Sequence, residues 1–186
     1  MLELDNLRYL QTLLNVMPET IKMATSFQLD YLRILGINNG GPNLILMATK
    51  TSKNSPILSK LELKLTNLEE DPMPTLEKLP NLKILCFLYY SFNEKDMVCF
   101  EGGFPLLQSL LLSSLGFLKE WRVEEGAMPS LCHLTIHMCC NLKSIPNELR
   151  FVTTLLELDI KWMPKLDEGG LDFDKVKHVP SLVIRF

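Results

Sequence analysis

The sequence predicts an α/β solenoid, a horseshoe-shaped stack of coils with a parallel sheet on the concave side and a mostly irregular convex side. One observation is the order of apolar residues, L-x-x-L-x-x-L-x-L, which returns about every two dozen residues. A second is its regularity, because the third apolar position falls on Leu110, Leu134 and Leu158, each 24 residues after the last. A third is the glycine and proline between copies, such as Gly126 and Pro146, where the chain must turn.

A period of this length with this leucine spacing is typical of a leucine-rich repeat. About eight coils are expected, and they form one leucine-rich repeat domain over residues 1–186. The outer coils match less well, which is expected of coils that have a neighbour on one side only. The copies begin, in chain order, at Leu4 or Leu7, Leu29, Leu58, Leu79, Phe104, Met128, Val152 and Val179.

The L-x-L step of each copy predicts a strand, because residues two apart in a strand point to the same face. Both leucines of the step face the core, and the residues around them form the concave face. One coil cannot bury its own leucines, so the stacking of neighbouring coils must supply the core. A further inward residue is expected to close each coil after the strand, at Tyr90, Leu115, Cys139 and Met163.

The segments between the strands predict little regular structure. Residues Asn67 to Thr75 contain three acids and two prolines and are interpreted as a convex loop. A short convex helix is expected over Met17 to Thr25. Trp121 continues the leucine phase beyond Leu118, so we expect it in the core on the convex side.

Composition narrows the classes of function. The net charge is −3 and the pI about 5.7, which argues against the basic patch of a nucleic-acid-binding protein. No apolar run reaches the 18 or so residues that a membrane span needs. The five cysteines follow no disulfide spacing, and the first residues do not resemble a signal peptide. A cytoplasmic location is therefore expected, with the nucleus or a membrane surface as alternatives.

The residues around Cys132 resemble a metal site but do not predict one. His133 and His137 have a zinc spacing only on a helix, whereas the L-x-I step between them predicts a strand. In a strand the two histidines lie roughly 13 Å apart, too far to share one zinc ion. No nucleophile elbow, phosphate loop or dinucleotide-binding fingerprint is present either. We therefore expect no cofactor, no metal and no enzymatic activity.

The outward positions of the strands form the candidate binding surface, here called the wall. Its middle part is apolar and its carboxy-terminal part is polar and charged, a combination that often marks a protein-binding surface. The opposing interpretation is that the apolar residues merely tolerate exposure or are covered by another domain. Trp162 follows the last regular strand and is a candidate for partner contact. The predicted partner-binding residues are Glu62, Lys64, Ile84, Cys86, Leu88, Leu111, His133, Thr135, His137, Glu157, Asp159, Lys161 and Trp162.

Several phrases resemble one known family. They are G-G-F-P at Gly102–Pro105, E-W-R-V-E-E-G-A-M-P at Glu120–Pro129, L-K-S-I-P at Leu142–Pro146 and K-H-V-P at Lys177–Pro180. Together they resemble the C-terminal repeats of plant disease-resistance proteins of the coiled-coil nucleotide-binding leucine-rich repeat type. The resemblance covers most of the chain.

The resemblance implies a recognition and autoregulatory module of an intracellular immune receptor. The partners that it implies are a pathogen effector, a guarded host protein or the receptor's own nucleotide-binding domain. The upstream coiled-coil and nucleotide-binding domains are absent from this sequence, so we expect the chain to be a fragment, and nucleotide binding transfers to none of its residues. The alternative is the substrate-recognition repeat of another intracellular protein, such as a ubiquitin-ligase adaptor, which an upstream F-box would identify.

Overall fold

The computed structural model describes residues 11–17, 31–39, 57–166 and 173–185. Eight of its strands form one sheet in the order β1-β2-β3-β4-β6-β8-β9-β10, and every adjacent pair is parallel. The other two, β5 and β7, form a separate parallel pair. The strands are β1 (Thr12–Val16), β2 (Ile34–Asn38), β3 (Lys60–Lys64), β4 (Ile84–Leu88), β5 (Asp96–Cys99), β6 (Ser109–Ser113), β7 (Glu120–Val123), β8 (His133–His137), β9 (Glu157–Lys161) and β10 (Ser181–Arg185).

This architecture confirms the predicted solenoid with its parallel sheet. Over the residues that the structure describes, the solenoid makes about six turns, slightly fewer than the eight coils expected. The outermost strands, β1 and β10, each have one neighbour only, and β1 pairs with β2 through an irregular register. Most of the coil expected at Leu4 or Leu7 lies outside the described residues, which include only its end, from residue 11 onward. The helix expected over 17–25 also lies outside them, except for Met17.

The core is a set of leucine columns that run through the coils. Leu85, Leu110, Leu134 and Leu158 pair in register across neighbouring strands, and each is at most 1% exposed. The predicted column is therefore confirmed. Parallel strands lie about 4.8 Å apart, so each leucine packs directly on the next one in its column. Burial of each such side chain is worth roughly 1.5–3 kcal/mol.

Each strand ends in a residue with left-handed backbone geometry. The residue two positions after the second inward side chain has a positive φ in six successive coils, and the turn it makes leads the chain off the concave face. For residues other than glycine this conformation costs roughly 1–2 kcal/mol, least for asparagine. The residues are Asn39, Leu65, Tyr89, Ser114, Met138 and Trp162.

The convex side is more regular than expected. β5 and β7 pair there and bury Met97, Cys99, Trp121 and Val123 against the core, which confirms the expected burial of Trp121. Within the expected loop Asn67–Thr75 the chain instead begins a single-turn helix, Met73–Leu76.

Asp71 joins this helix to the second sheet. Its two carboxylate oxygens accept hydrogen bonds from the backbone N–H groups of Met73, at 3.0 Å, and Val98, at 2.9 Å. Burial raises the pKa of Asp71, although the two backbone hydrogen bonds act in the opposite direction. A half-buried acid thus accepts hydrogen bonds from two N–H groups of different elements that need an acceptor.

The prediction that Tyr90 points into the core was wrong. Tyr90 is 52% exposed, and the buried position of that coil belongs to Ser91, which is fully buried. This coil has one extra residue, because Tyr89 and Tyr90 take left-handed geometry in succession. Thr66 of the preceding coil donates a hydrogen bond of 2.7 Å to the Ser91 carbonyl, so polar contacts replace apolar packing here.

Candidate partner-binding surface

Strand register arranges the outward side chains of the wall in three columns. From β3 through β9 the strands pair residue by residue without a shift, so equivalent positions lie side by side on neighbouring strands. The first column is Lys60, Ile84, Ser109, His133 and Glu157, the middle column is Glu62, Cys86, Leu111, Thr135 and Asp159, and the last column is Lys64, Leu88, Ser113, His137 and Lys161.

The apolar part of the wall is less open than the sequence predicted. Ile84 is 37% exposed, and Leu88 and Leu111 are half-buried. Cys86 is buried, with 8% of its surface exposed, so its expected exposure was wrong. The cysteine is short and stands between the longer side chains of Glu62 and Leu111 in the middle column, and burial raises the pKa of its thiol.

The carboxy-terminal part of the wall is an ordered charged cluster centred on Asp159. Lys161 Nζ donates a hydrogen bond of 2.5 Å to Asp159 Oδ2, and His137 Nε2 lies 3.2 Å from the same oxygen. Burial alone would raise the pKa of Asp159, but the hydrogen bond from Lys161 and the electrostatic effect of the neighbouring His137 and Lys161 lower it. The other carboxylate oxygen, Oδ1, is buried and accepts no hydrogen bond from the described residues.

The second histidine of the cluster faces a different carboxylate. His133 Nε2 lies 3.7 Å from Glu157 Oε2, and both side chains are at least half exposed. The predicted strand is confirmed, and it places His133 and His137 in different columns of the wall. Among the described residues, His, Cys, Asp and Glu do not come together in groups of three or more that could hold a metal ion.

Trp162 stands at the end of β9 and borders the charged cluster. It is 56% exposed and has a φ of 53°. Its ring lies edge-on to His137, with 6.0 Å between the ring centroids and 74° between the planes. Tryptophan thus presents a large apolar surface next to paired charges, the combination of groups that dominates many protein interfaces.

The predicted site residues therefore fall into two separate polar groups with an apolar stretch between them. At the amino-terminal end Lys60 and Glu62 form an ion pair of 3.6 Å, and Lys64 lies beside them. At the other end are His133, Thr135, His137, Glu157, Asp159, Lys161 and Trp162.

Sequence reasoning missed three exposed apolar residues next to the wall. Tyr89, Tyr90 and Met138 follow β4 and β8 and are 49%, 52% and 41% exposed. A signal was available, because Tyr89 and Met138 occupy the same place in their coils as Trp162, two residues after the second inward side chain. Among the described helices, none is both long and apolar enough to cross a membrane.

Comparison with known proteins identifies relatives of this chain. No protein-family model matches the chain. It is 45% identical over 132 residues to probable disease resistance RPP8-like protein 4 of Arabidopsis thaliana, a match that covers 68% of this chain and 14% of that protein. It is likewise 45% identical over 132 residues to disease resistance protein RPP8, with the same coverage of both chains.

A third relative carries the same relationship. The chain is 45% identical over 130 residues to disease susceptibility protein LOV1 of Arabidopsis thaliana, across 68% of this chain and 14% of the relative. The chain thus spans only about one seventh of the length of these curated relatives. The resemblance found in its repeats is confirmed, and the matched part of the chain belongs with the leucine-rich repeat segments of RPP8-like plant disease resistance proteins.

Proposed function

We propose that this chain is a protein-binding recognition and autoregulatory module of a plant intracellular immune receptor, acting in defence against pathogens. The observation that carries the proposal is the charged cluster with Trp162, an ordered and accessible surface, in repeats that are 45% identical to those of disease resistance proteins. Its partner is a pathogen effector, a guarded host protein or the receptor's own nucleotide-binding domain.

Binding suits the wall better than catalysis does. Glu157 and Asp159 share a face, but Glu157 faces His133 and Asp159 is held by Lys161. Partial burial acts to raise the pKa of Asp159, but its contacts with Lys161 and His137 lower it, which makes this carboxyl a poor general acid. The proposal therefore assigns no catalytic step and no cofactor, and it places the receptor in the cytoplasm, with the nucleus or a membrane surface as alternatives.

The test is replacement of Glu157, Asp159, Lys161 and Trp162 by alanine in the receptor that carries these repeats, expressed in leaf tissue. We expect either a loss of effector-dependent cell death or cell death without the effector, at an unchanged protein level. Loss of recognition would indicate contact with the effector or guarded protein. Cell death without the effector would indicate contact with the nucleotide-binding domain.

The matched control replaces three charged residues and one aromatic residue on the convex side. Glu120 and Lys143 form an exposed ion pair of 3.1 Å, Asp174 is exposed, and Phe151 is 57% exposed. These four alanine replacements remove similar charge and apolar area without touching the wall. Normal signalling by the wall variant, or an equal effect of the control variant, would contradict the proposal.

A further inference from the structure

A ridge of three exposed side chains and one half-buried serine runs along the carboxyl edge of the concave sheet. We define the ridge as Tyr89, Tyr90, Ser114 and Met138, the left-handed residues that follow β4, β6 and β8. Three of the four are large apolar residues between 41% and 52% exposed. Backbone N–H groups of Tyr89 and Tyr90 donate to the carbonyls of Ser113 and Ser114, so the ridge is tied to the sheet and not to a free loop.

Stability gives no reason for these residue types at these positions. Left-handed geometry disfavours side chains other than asparagine and aspartate, and this chain uses asparagine at the equivalent position of an earlier coil, Asn39. Tyr89 and Met138 adopt the same strained geometry while about half of each side chain stays in water. Strain without compensating burial is a feature of residues placed for binding.

The ridge dips at Ser114, its smallest and least exposed member, and this dip is called the notch. Ser114 separates Tyr89 and Met138, which stand two strand spacings apart, or about 10 Å. Tyr90 lies over Gly116 on one flank, with its Cε1 atom 3.4 Å from where a Cβ of Gly116 would be. The hydroxyl oxygen of Ser114 is buried and has no hydrogen-bond partner among the described residues, so it does not line the notch. The notch can thus receive an apolar group.

Charge along the neighbouring column specifies the partner further. The last column of the wall, immediately before the ridge, has Lys64 at one end and His137 and Lys161 at the other, and it continues to Arg185 on β10. This column contains no carboxylate from Lys64 to Arg185, but His137 and Lys161 already contact Asp159 of the middle column, which leaves Lys64 as the basic group beside the ridge. Lys64 Nζ lies 5.4 Å from the centre of the Tyr89 ring and forms no ion pair with a described residue. A partner that meets this edge would gain from carrying acidic groups.

We propose that the ridge binds an extended segment of a partner protein in which an apolar side chain stands next to aspartate or glutamate. The apolar side chain occupies the notch at Ser114 between Tyr90 and Met138, and an acidic neighbour meets Lys64 beside Tyr89. This deepens the proposed protein-binding role and rests on it, but it uses residues other than those replaced in the leaf assay.

The experiment selects peptides of about ten residues, which span roughly 33 Å when extended, from a random phage library on the wild-type chain. Selected peptides are synthesised and titrated against the wild type, the ridge variant Tyr89→Asn/Met138→Asn, and the control variant Phe151→Asn/Phe173→Asn. The control removes two aromatic residues that are 57% and 56% exposed away from the ridge. A third variant, Lys64→Glu, reverses the charge beside the ridge and leaves the four ridge residues themselves unchanged.

We expect the selected peptides to combine one apolar residue with aspartate or glutamate. Their affinity should fall roughly tenfold or more in the ridge variant and stay unchanged in the control variant. Lys64→Glu should weaken the same peptides and favour versions in which the acids are replaced by lysine. The melting temperature of the ridge variant should stay equal or rise, because asparagine tolerates left-handed geometry better than tyrosine or methionine does.

Four outcomes would overturn the inference. They are a library that yields no binder, selected peptides that are basic, equal affinity for the wild type and the ridge variant, and a lower melting temperature of the ridge variant, which would make the ridge structural. Sedimentation of the chain alone tests one more alternative. If the wild type forms a dimer that the ridge variant does not form, the ridge binds a second copy of the chain, and the inference is wrong. Because the leaf assay changes other residues, failure of the peptide experiment and failure of the proposed function are separate results.

Discussion

Nε2 of His137 on β8 lies 3.2 Å from Oδ2 of Asp159 on β9, the same oxygen that accepts the hydrogen bond from Lys161. One carboxylate is therefore shared by two basic side chains, one from its own strand and one from the neighbouring strand. This sharing fixes the geometry of the charged cluster before any partner arrives. Preorganised groups lose less conformational entropy on binding, which favours this part of the wall as the place of recognition.

Because the pKa of Asp159 is lowered, part of the protein's stability should depend on pH. The pKa of Asp159 is lowered in the folded protein, so its stabilising contribution is present above the ordinary aspartate value of 3.8 and is lost as the pH falls through the lower folded value. The stability difference between wild type and Asp159→Asn should therefore be larger at neutral pH than in acid. Urea unfolding between about pH 7 and pH 2 measures it.

Asp71 does not disturb this comparison. Its pKa is raised, so its effect on stability has the opposite sign, but Asp71 is present in both proteins and cancels in the difference. A difference between wild type and Asp159→Asn that stays constant across the titration would contradict the prediction.

The leucine column predicts the largest loss of stability. Leu134 is 1% exposed and pairs with Leu110 and Leu158 in neighbouring coils. Leu134→Ala should lower the free energy of unfolding by about 2–5 kcal/mol, because it leaves a cavity between stacked coils. Thr135→Ala on the adjacent, half-buried wall position is the control and should change it by about 0.5 kcal/mol or less. Equal urea midpoints for Leu134→Ala and wild type would refute the register.

The hydrogen bonds that Asp71 accepts should contribute to the stability of the convex side. Asp71→Ala should destabilise the fold by about 1–3 kcal/mol, because it removes the acceptor for the N–H groups of Met73 and Val98. Glu70→Ala, next to it and exposed, should have little effect. Hydrogen exchange at the Val98 amide gives a local measurement, and unchanged protection there in Asp71→Ala would exclude the role assigned to this carboxylate.

The fold could be predicted from sequence because each core position repeats its chemistry in every coil. Leu110, Leu134 and Leu158 define a register that carries over to all neighbouring strands. The same logic could have identified the second sheet, since Met97 and Cys99 precede Trp121 and Val123 by 24 residues each. That signal is only two residues long per strand, which is too short to separate a strand from an irregular turn.

The exceptions come from effects that a spacing rule cannot represent. The extra residue after β4 moves the buried position from Tyr90 to Ser91, and the backbone geometry of Tyr89 and Tyr90 shows where in the coil it is accommodated. Cys86 is outward by register, yet the larger side chains beside it cover it. The pairing of Asp159 with His137 and Lys161 depends on contacts between two strands and on side-chain conformations, which the sequence alone does not determine.

The five cysteines should react in two groups. Cys140 is exposed and Cys132 partly so, whereas Cys86, Cys99 and Cys139 are buried, and burial raises the pKa of Cys99 and of Cys139 to about 12. Because the thiolate is the reactive form, iodoacetamide at neutral pH should label Cys140 first and Cys132 next. Peptide mass mapping should find the other three labelled only after unfolding in urea. Early labelling of Cys99 in the native protein would mean that the convex sheet opens.

Trp162 should report directly on the wall. The chain has two tryptophans, of which Trp121 is 4% exposed and Trp162 is 56% exposed. Acrylamide should therefore quench two populations, and Trp162→Phe should remove the accessible one and leave a blue-shifted emission from Trp121. A partner that covers the charged cluster should shift the emission of the wild type to shorter wavelength and protect it from acrylamide. Trp121→Phe should retain this response and Trp162→Phe should lose it. If a partner binds and the response persists in Trp162→Phe, the partner contacts a surface other than the carboxy-terminal part of the wall.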